Sequence, residues 1–330
     1  MMDSRPIRIV FFGTPAFATP ALRALAADRR FEIALVVTLP DRPAGRGHKL
    51  ISFPVKQTAH DLDLRVYQPS SLKTESERSL LHDADADFFV VAAFGMIFGA
   101  NTLAIPRLGC VNLHASLLPK FRGASPIAAA IACGETETGV TLMQMELGLD
   151  TGPIVAAAAI DISQLDTTES LSRRLAQLGA SMMEDKLVDL AVGRVVPSPQ
   201  PDTGASVVRP LVKDDGWLDW DRPAADLERW VRAMWPWPRA WTTLNGERFQ
   251  VHRASPTLNL AASEPGVAIV DRDRPRVGTS DGTLELEIVQ LPGGRPIPGS
   301  ALAQARLLKS GTRLGVEGRP GSRAPFVTKL

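Results

Sequence analysis

"RIVFFGTPAFATPALRALAAD", residues 8–28, joins an unbroken apolar run to a stretch with apolar residues at helical spacing, through a Gly-Thr-Pro turn. A run that is apolar at every position has both faces buried. Feeding straight into a helix, it predicts the first β-α unit of a sheet covered on both sides. The pattern recurs. "IALVVTL" (33–39), "DFFVVAAF" (87–94), "CVNLH" (110–114), "VTLMQM" (140–145) and "PIVAAAAI" (153–160) read as further strands, and helical stretches lie near 54–62, 71–82, 125–133 and 168–191. Together they predict a doubly wound, Rossmann-like, mostly parallel α/β sheet over residues 1–191. Ligands of such sheets bind beyond the carboxyl ends of the strands, which is where His114 falls.

From Val192 the character changes. "VGRVVPSPQPDTGAS" (192–206) carries three prolines and no periodicity, and reads as a linker. All six tryptophans follow within residues 217–241, and they are read mainly as core or interdomain packing. "RFQVHRA", "GVAIVD", "LELEIVQ" and "RLGV" then alternate with Gly/Pro turns, predicting a small OB-like β-barrel over 207–330. The tail after Gly315 reads as loose.

Composition excludes several classes. With 45% hydrophobic and 22% charged residues among 330, the chain suits two globular units rather than disorder or a repeat array. Net charge is +1, but residues 206–330 hold 18 Lys and Arg against 14 Asp and Glu, a balance of +4 that fits a polyanionic partner and equally an ordinary mixed surface. Two cysteines without Cys-x-x-Cys fit a reducing compartment. The start lacks a signal-peptide core, and the longest apolar run, 88–100, is too short to span a bilayer. A cytoplasmic protein without membrane attachment is expected.

The usual cofactors of this fold are not signalled. No phosphate loop of the G-x-x-x-x-G-K-[ST] kind occurs, and the turn after the first strand, "GTPAFA", lacks G-x-G-x-x-G. The five histidines at 48, 60, 82, 114 and 252 show no metal-ligand spacing. Ser116 stands near His114 but without the G-x-S-x-G elbow of a nucleophile, and Cys110 reads as a small core residue. No metal or nucleotide cofactor is therefore expected.

Asn112 and His114 remain. At i and i+2 of one strand they point to the same face, and an amide beside an imidazole is costly in a core without partners. Singly, His114 reads as a satisfied core histidine; paired with Asn112 at a strand end, a functional reading stands level with that one. Asp150, in the glycine-flanked "MELGLDTGP" (145–153), reads singly as a turn aspartate. Together the three suit acyl transfer to an amine. Asn112 and His114 would donate to the oxyanion of a tetrahedral intermediate, while Asp150 keeps the imidazole charged and relays the amine proton.

"NLHASLLPKFRGASPI" with "VTLMQMELGLDTGPIV" resembles the signature of the folate-dependent formyltransferases, and "FFGTPAFA" resembles that family's opening. The resemblance implies a catalytic trio of Asn112, His114 and Asp150. It implies 10-formyltetrahydrofolate as co-substrate against Ser116, Leu117, Leu118 and Pro119. The pterin would lie near Phe94, Gly95, Met96 and Ile97 and near Gly148 and Leu149. Over residues 7 to about 315 the chain resembles the members that formylate methionyl initiator tRNA. In them a loop like "PDRPAGRGHKL" (40–50) contacts tRNA, here with Arg42, Arg46 and Lys49, and a C-terminal barrel binds it. The resemblance also suggests a monomer. One departure stands out: Ala128 and Ala129 occupy the place of an expected polar pair. Rival readings are a formyltransferase for sugar nucleotides, one for purine synthesis, a folate hydrolase and a non-catalytic RNA-binding module.

Overall fold

Seven apolar strands assemble as their spacing dictates. The computed structural model describes residues 5–44, 49–257, 264–321 and 324–330. Strands β1 (Ile7–Gly13), β2 (Phe31–Val37), β3 (Val66–Tyr67), β4 (Phe88–Ala92), β5 (Cys110–His114), β6 (Glu137–Gln144) and β7 (Ile154–Asp161) form one sheet in the order β7-β6-β5-β4-β1-β2-β3. The five strands from β5 to β3 are parallel, and β6 and β7 close one edge antiparallel.

Both faces are buried, by alternation along each strand. Ile9, Phe11, Val111 and Leu113 join the cluster containing α1 (Thr19–Ala27), α2 (Pro54–Asp61) and α5 (Thr168–Ala191). Val10, Phe12, Phe89, Val91 and Cys110 join the cluster under α3 (Glu75–Asp83). Helix starts carry their own signals. Thr74 accepts from the Glu77 amide while the Glu77 carboxylate accepts from the Thr74 amide, a reciprocal cap for α3. Thr167 and Ser170 do the same for α5, and α2 and α4 (Pro126–Ala132) begin with proline.

The C-terminal unit is a separate antiparallel sheet. Strands β8 (Ala240–Leu244), β9 (Glu247–Thr257), β10 (Ala268–Asp271), β11 (Arg274–Gly278) and β12 (Thr283–Gln290) run in the order β8-β9-β12-β11-β10, and β13 (Pro296–Pro298) pairs with β12. Among the described residues the path does not close into a barrel. The "RLGV" run supplies a single bridge, Val267 to Arg313, instead of a strand.

The two sheets share one apolar core. Trp220, Leu227, Val251 and Leu284 belong to the same buried cluster as β5 and α5. Polar bonds cross there too: the Thr168 hydroxyl donates to the Ala233 carbonyl at 2.7 Å, and Arg232 to the Asp166 carbonyl at 3.0 Å, from the end of α6 (Ala224–Ala233). Ala128 and Ala129 are buried in this core, so the expected polar pair has no place to reach solvent.

The tail expected to be loose is tied down. Thr243 donates to the Glu317 carbonyl at 2.7 Å, Arg319 meets Asp219 at 3.1 Å, and Val327–Lys329 pairs antiparallel with Ser206–Val208. The strand 206–208 pairs in turn, in parallel, with Arg122–Gly123. Backbone pairing outweighs the weak local signal of a tail rich in Gly, Arg and Pro.

Candidate active site

Strand β5 delivers its two polar residues to one place. Asn112 lies opposite Met143 and His114 opposite Thr141 on β6, with Val111 and Leu113 turned into the α5 side. The loop 145–153 after β6 brings Asp150 to the other face. Asn112 Nδ2 donates to Asp150 Oδ1 at 3.3 Å, the Gly123 amide donates to Oδ2 at 2.8 Å, and His114 Nδ1 faces Oδ2 at 3.6 Å. All three expected residues thus meet on one carboxylate.

The histidine tautomer follows from its other partner. His114 Nε2 lies 2.9 Å from the Phe121 carbonyl, which can only accept, so Nε2 carries the hydrogen. Nδ1 is left toward Asp150. The ring is buried, with 6% exposure, so its orientation is set by packing as well as by the bond.

Backbone strain gathers around this site. Ala93, Phe121 and Asp150 all hold positive φ, at 49°, 59° and 52°. Such residues cost about 1–3 kcal/mol each and persist only where neighbours hold them. Phe121 is held by its amide, which donates to Ser206 Oγ at 2.9 Å. Gly123, at φ 104°, approaches the neighbouring strand so closely that a Cβ would lie 2.3 Å from the Val208 carbonyl oxygen. Asp150 is held by Gln200, whose Nε2 donates to the carbonyls of Asp150 at 2.7 Å and Gly152 at 2.8 Å.

Sequence reasoning missed Gln200 and Ser206. Both lie in the proline-rich stretch read as a linker, and a single Gln among prolines carries no motif. Arg122 bonds the same side chain: Nε and Nη2 donate to Gln200 Oε1 at 3.0 and 2.8 Å.

The "SLLP" segment is pinned by the residue opposite His114. Thr141 Oγ1 donates to the Ser116 carbonyl at 2.7 Å and accepts from the Leu118 amide at 3.1 Å, while the Ser116 hydroxyl donates to the Lys120 carbonyl at 2.6 Å. Ser116, Leu118 and Pro119 are buried, and Leu117 is half-buried. Leu117 and Pro119 line a cavity of about 290 Å³ beside the Lys120–Glu135 ion pair.

Phe94 packs at 5.3 Å from Phe12 in an aromatic cluster with Phe98 and is buried. Gly95 turns the chain at φ 92°, Met96 is half-buried, and Ile97 is 93% exposed. Leu147 and Leu149 are also exposed, at 73% and 61%. Leu147 and Gly148 edge an open hollow of about 650 Å³ that the helix Ala100–Leu103 bounds on its other side.

The segment expected to meet tRNA contains a hairpin, Arg42–Ala44 against Lys49–Ile51, with Arg42 opposite Ile51 and Lys49 opposite Ala44. Arg46 lies outside the described residues. Elsewhere, burial pushes the Cys110 thiol up to about 12. Among the described residues, no three His, Cys, Asp or Glu side chains gather as a metal site, and no helix is long and apolar enough to cross a membrane.

An amide, an imidazole and a carboxylate thus gather at the end of a parallel strand of a doubly wound α/β sheet. Residues 7–187 match the formyl transferase family and residues 210–307 the formyl transferase C-terminal domain; the chain belongs to this family. It is 45% identical to methionyl-tRNA formyltransferase of Ectopseudomonas mendocina (strain ymp) over 93% of this chain and 96% of that one. It is 46% identical to methionyl-tRNA formyltransferase of Stutzerimonas stutzeri (strain A1501) over 89% and 93%. Among solved structures, the N-formyltransferase of Helicobacter canadensis in complex with folinic acid and dTDP-3-aminofucose shares the fold. Its TM-score is 0.63 at 15% identity, over 86% of this chain and 98% of that one.

Proposed function

We propose that this chain moves the formyl group of 10-formyltetrahydrofolate to the α-amino group of methionyl initiator tRNA, by direct attack through a tetrahedral intermediate. The observation that carries this reading is the meeting of Asn112, His114 and Asp150 on one carboxylate, in a chain whose relatives at 45–46% identity are methionyl-tRNA formyltransferases.

Each group has a part that its bonds leave available. Asn112 spends one N–H on Asp150 and keeps a second for the oxygen of the reacting carbonyl. His114, anchored through Nε2, presents Nδ1 to the space beside Asp150. Once protonated there, it donates to the oxyanion, a contribution of about 2–4 kcal/mol per donor. Asp150 stabilises that charge and takes the proton of the attacking amine, directly or through water; as the intermediate collapses, the bond from the formyl carbon to N10 breaks and that proton passes to N10 of the departing tetrahydrofolate.

The described residues fit a folate. Exposed Leu147 edges an open, mainly apolar hollow with Ala100, Leu103 and Ala104, suited to a flat aromatic ring system. In this reading Phe94, Gly95, Met96, Gly148 and Leu149 shape the pterin side, with Ser116, Leu117, Leu118 and Pro119 as the rigid wall behind the reacting group. Arg42, Arg46 and Lys49 meet tRNA phosphates.

The division proposed is a catalytic unit (1–191), a connecting segment (192–206) and a tRNA-binding unit (207–330), OB-like in its strand pattern. The two cysteines, both unpaired, support a cytoplasmic setting. We take the working form to be a monomer.

The test is a formyl-transfer assay with 10-formyltetrahydrofolate and charged initiator tRNA, beside elongator tRNA, a 4-amino-sugar nucleotide and no acceptor. Formyl-methionine on the initiator alone is the expected result, with His114→Ala slower by at least ~10²-fold and folate affinity kept. Transfer to the sugar, or free formate, overturns the tRNA assignment.

A further inference from the structure

The connecting segment does more than join two domains. Gln200 sits between Arg122, the residue after the Phe121 carbonyl that anchors His114, and the loop that carries Asp150. We propose that Gln200 is a positioning residue for formyl transfer. Its side-chain amide clamps the Asp150 loop to Arg122 and so sets the carboxylate on Asn112 and His114. The inference rests on the trio named above.

The chemistry of the clamp leaves little choice of side chain. The Arg122 guanidinium can only donate, and the Asp150 and Gly152 carbonyls can only accept. A group bridging them must offer an acceptor at one end and two donors at the other. The planar amide of glutamine does this, with its orientation fixed by the partners: oxygen to Arg122 at 2.8 and 3.0 Å, nitrogen to the carbonyls at 2.7 and 2.8 Å. Two carbonyls drawn to one nitrogen curl the loop tightly, which is where Asp150 takes φ 52°.

The segment bearing Gln200 is itself anchored, so the clamp has a rigid base. Ser198 pairs with Ile154 through both backbone bonds, at 2.7 and 2.9 Å. Further on, Ser206 holds the Phe121 amide and Val208 flanks Gly123, whose amide donates to Asp150. Residues 198–208 thus touch the backbone around each ring or carboxylate partner on the loop side of the site. Asn112 needs no such help, because the sheet already fixes it.

Gln200→Glu separates positioning from mere packing. It keeps the shape and the Arg122 contact, now as an ion pair, but turns an oxygen toward two carbonyls. Steady-state formyl transfer is measured for Q200E, Q200A, D150A and D150A/Q200A, with thermal melts beside them. The expected result is a kcat ~10- to 100-fold lower for both Q200E and Q200A, the scale of a displacement of about 1 Å at a catalytic group. KM for folate and tRNA stays within about threefold, and the double variant is no slower than D150A, because a residue acting through Asp150 has nothing left to position. Should Q200A fail to fold, Q200E decides. A Q200E enzyme at wild-type kcat beside a crippled D150A overturns the inference alone, as does an additive loss in the double variant. A D150A enzyme at wild-type rate overturns the trio, and the inference falls with it.

Discussion

The Gly123 amide donates to Asp150 Oδ2 at 2.8 Å while its α-carbon sits against Val208. The second fact demands glycine. The backbone holds φ 104°, outside the range of residues with a side chain, and an added Cβ would lie 2.3 Å from a carbonyl oxygen. Gly123→Ala is expected to push the 122–123 strand off Val207–Val208 and withdraw the amide from Asp150. The outcome is a kcat at least ~10-fold lower, on the scale of losing one donor to a member of the proposed trio. A single-turnover assay with the folded variant checks it. Unchanged kcat would mean that Asp150 is placed without this bond.

Strand β5 is set by its contact with α5. A Cβ on Gly179 would lie 2.5 Å from Leu113 Cδ2, and Leu113 is 2% exposed. Gly179→Ala raises helix propensity but overpacks this contact, with an expected net cost of about 1–3 kcal/mol. Leu113→Ala alone should cost about 2–5 kcal/mol by leaving a cavity. The pair should cost less than the two together, because the new methyl enters the space the old side chain left. Urea unfolding of the three variants measures this coupling, and strict additivity would refute the contact.

Much of this was legible in the sequence, and the exceptions have physical reasons. Continuous apolar runs marked β1, β4 and β5 because both faces of the sheet are covered. Asn112 and His114 were readable as a pair because the strand period places i and i+2 together. Gln200 was not, because its partners lie 50 and 78 residues away and proline-rich context masks a packed segment as a linker. Strands β8 and β11 hid in a tryptophan-rich run and in "RPRVG", where proline weakens the strand signal. The tail hid because a short strand made of long-range pairs has no local pattern to show.

Cys110 predicts a pH dependence. Burial pushes its thiol up to about 12, against about 8.5 for an unfolded cysteine. The folded state therefore keeps the proton over a range where the unfolded state loses it. Stability is fully present below about pH 8.5 and declines as pH rises toward 12. Cys110→Ala should flatten this contribution, visible as a smaller drop in melting temperature between pH 8 and pH 10. In the folded protein at pH 8, a thiol reagent should modify exposed Cys133 and spare Cys110 until denaturant is added. Rapid labelling of both would refute the burial argument.

Phe326 tests whether the tail supports catalysis or only stability. It is 9% exposed, packs edge-on to Trp230 at 5.9 Å, and lies under the Arg209 guanidinium at 5.6 Å. Arg209 is held in turn by Asp215, both oxygens at 2.7 Å, so the ring closes a small cap over the end of strand 206–208. Phe326→Ala should cost about 3–5 kcal/mol, the usual range for a buried aromatic. The strand 327–329 would then detach from 206–208, loosening the support of Phe121 and Gly123 from the far side. Expected, therefore, is a clear fall in unfolding free energy with a smaller loss of kcat, below that of Gly123→Ala, since Val208 and Ser206 remain in place. Urea unfolding and transfer rates on one preparation measure both. A rate loss equal to that of Gly123→Ala would make the tail strand, rather than segment 198–208, the element that holds the Asp150 loop.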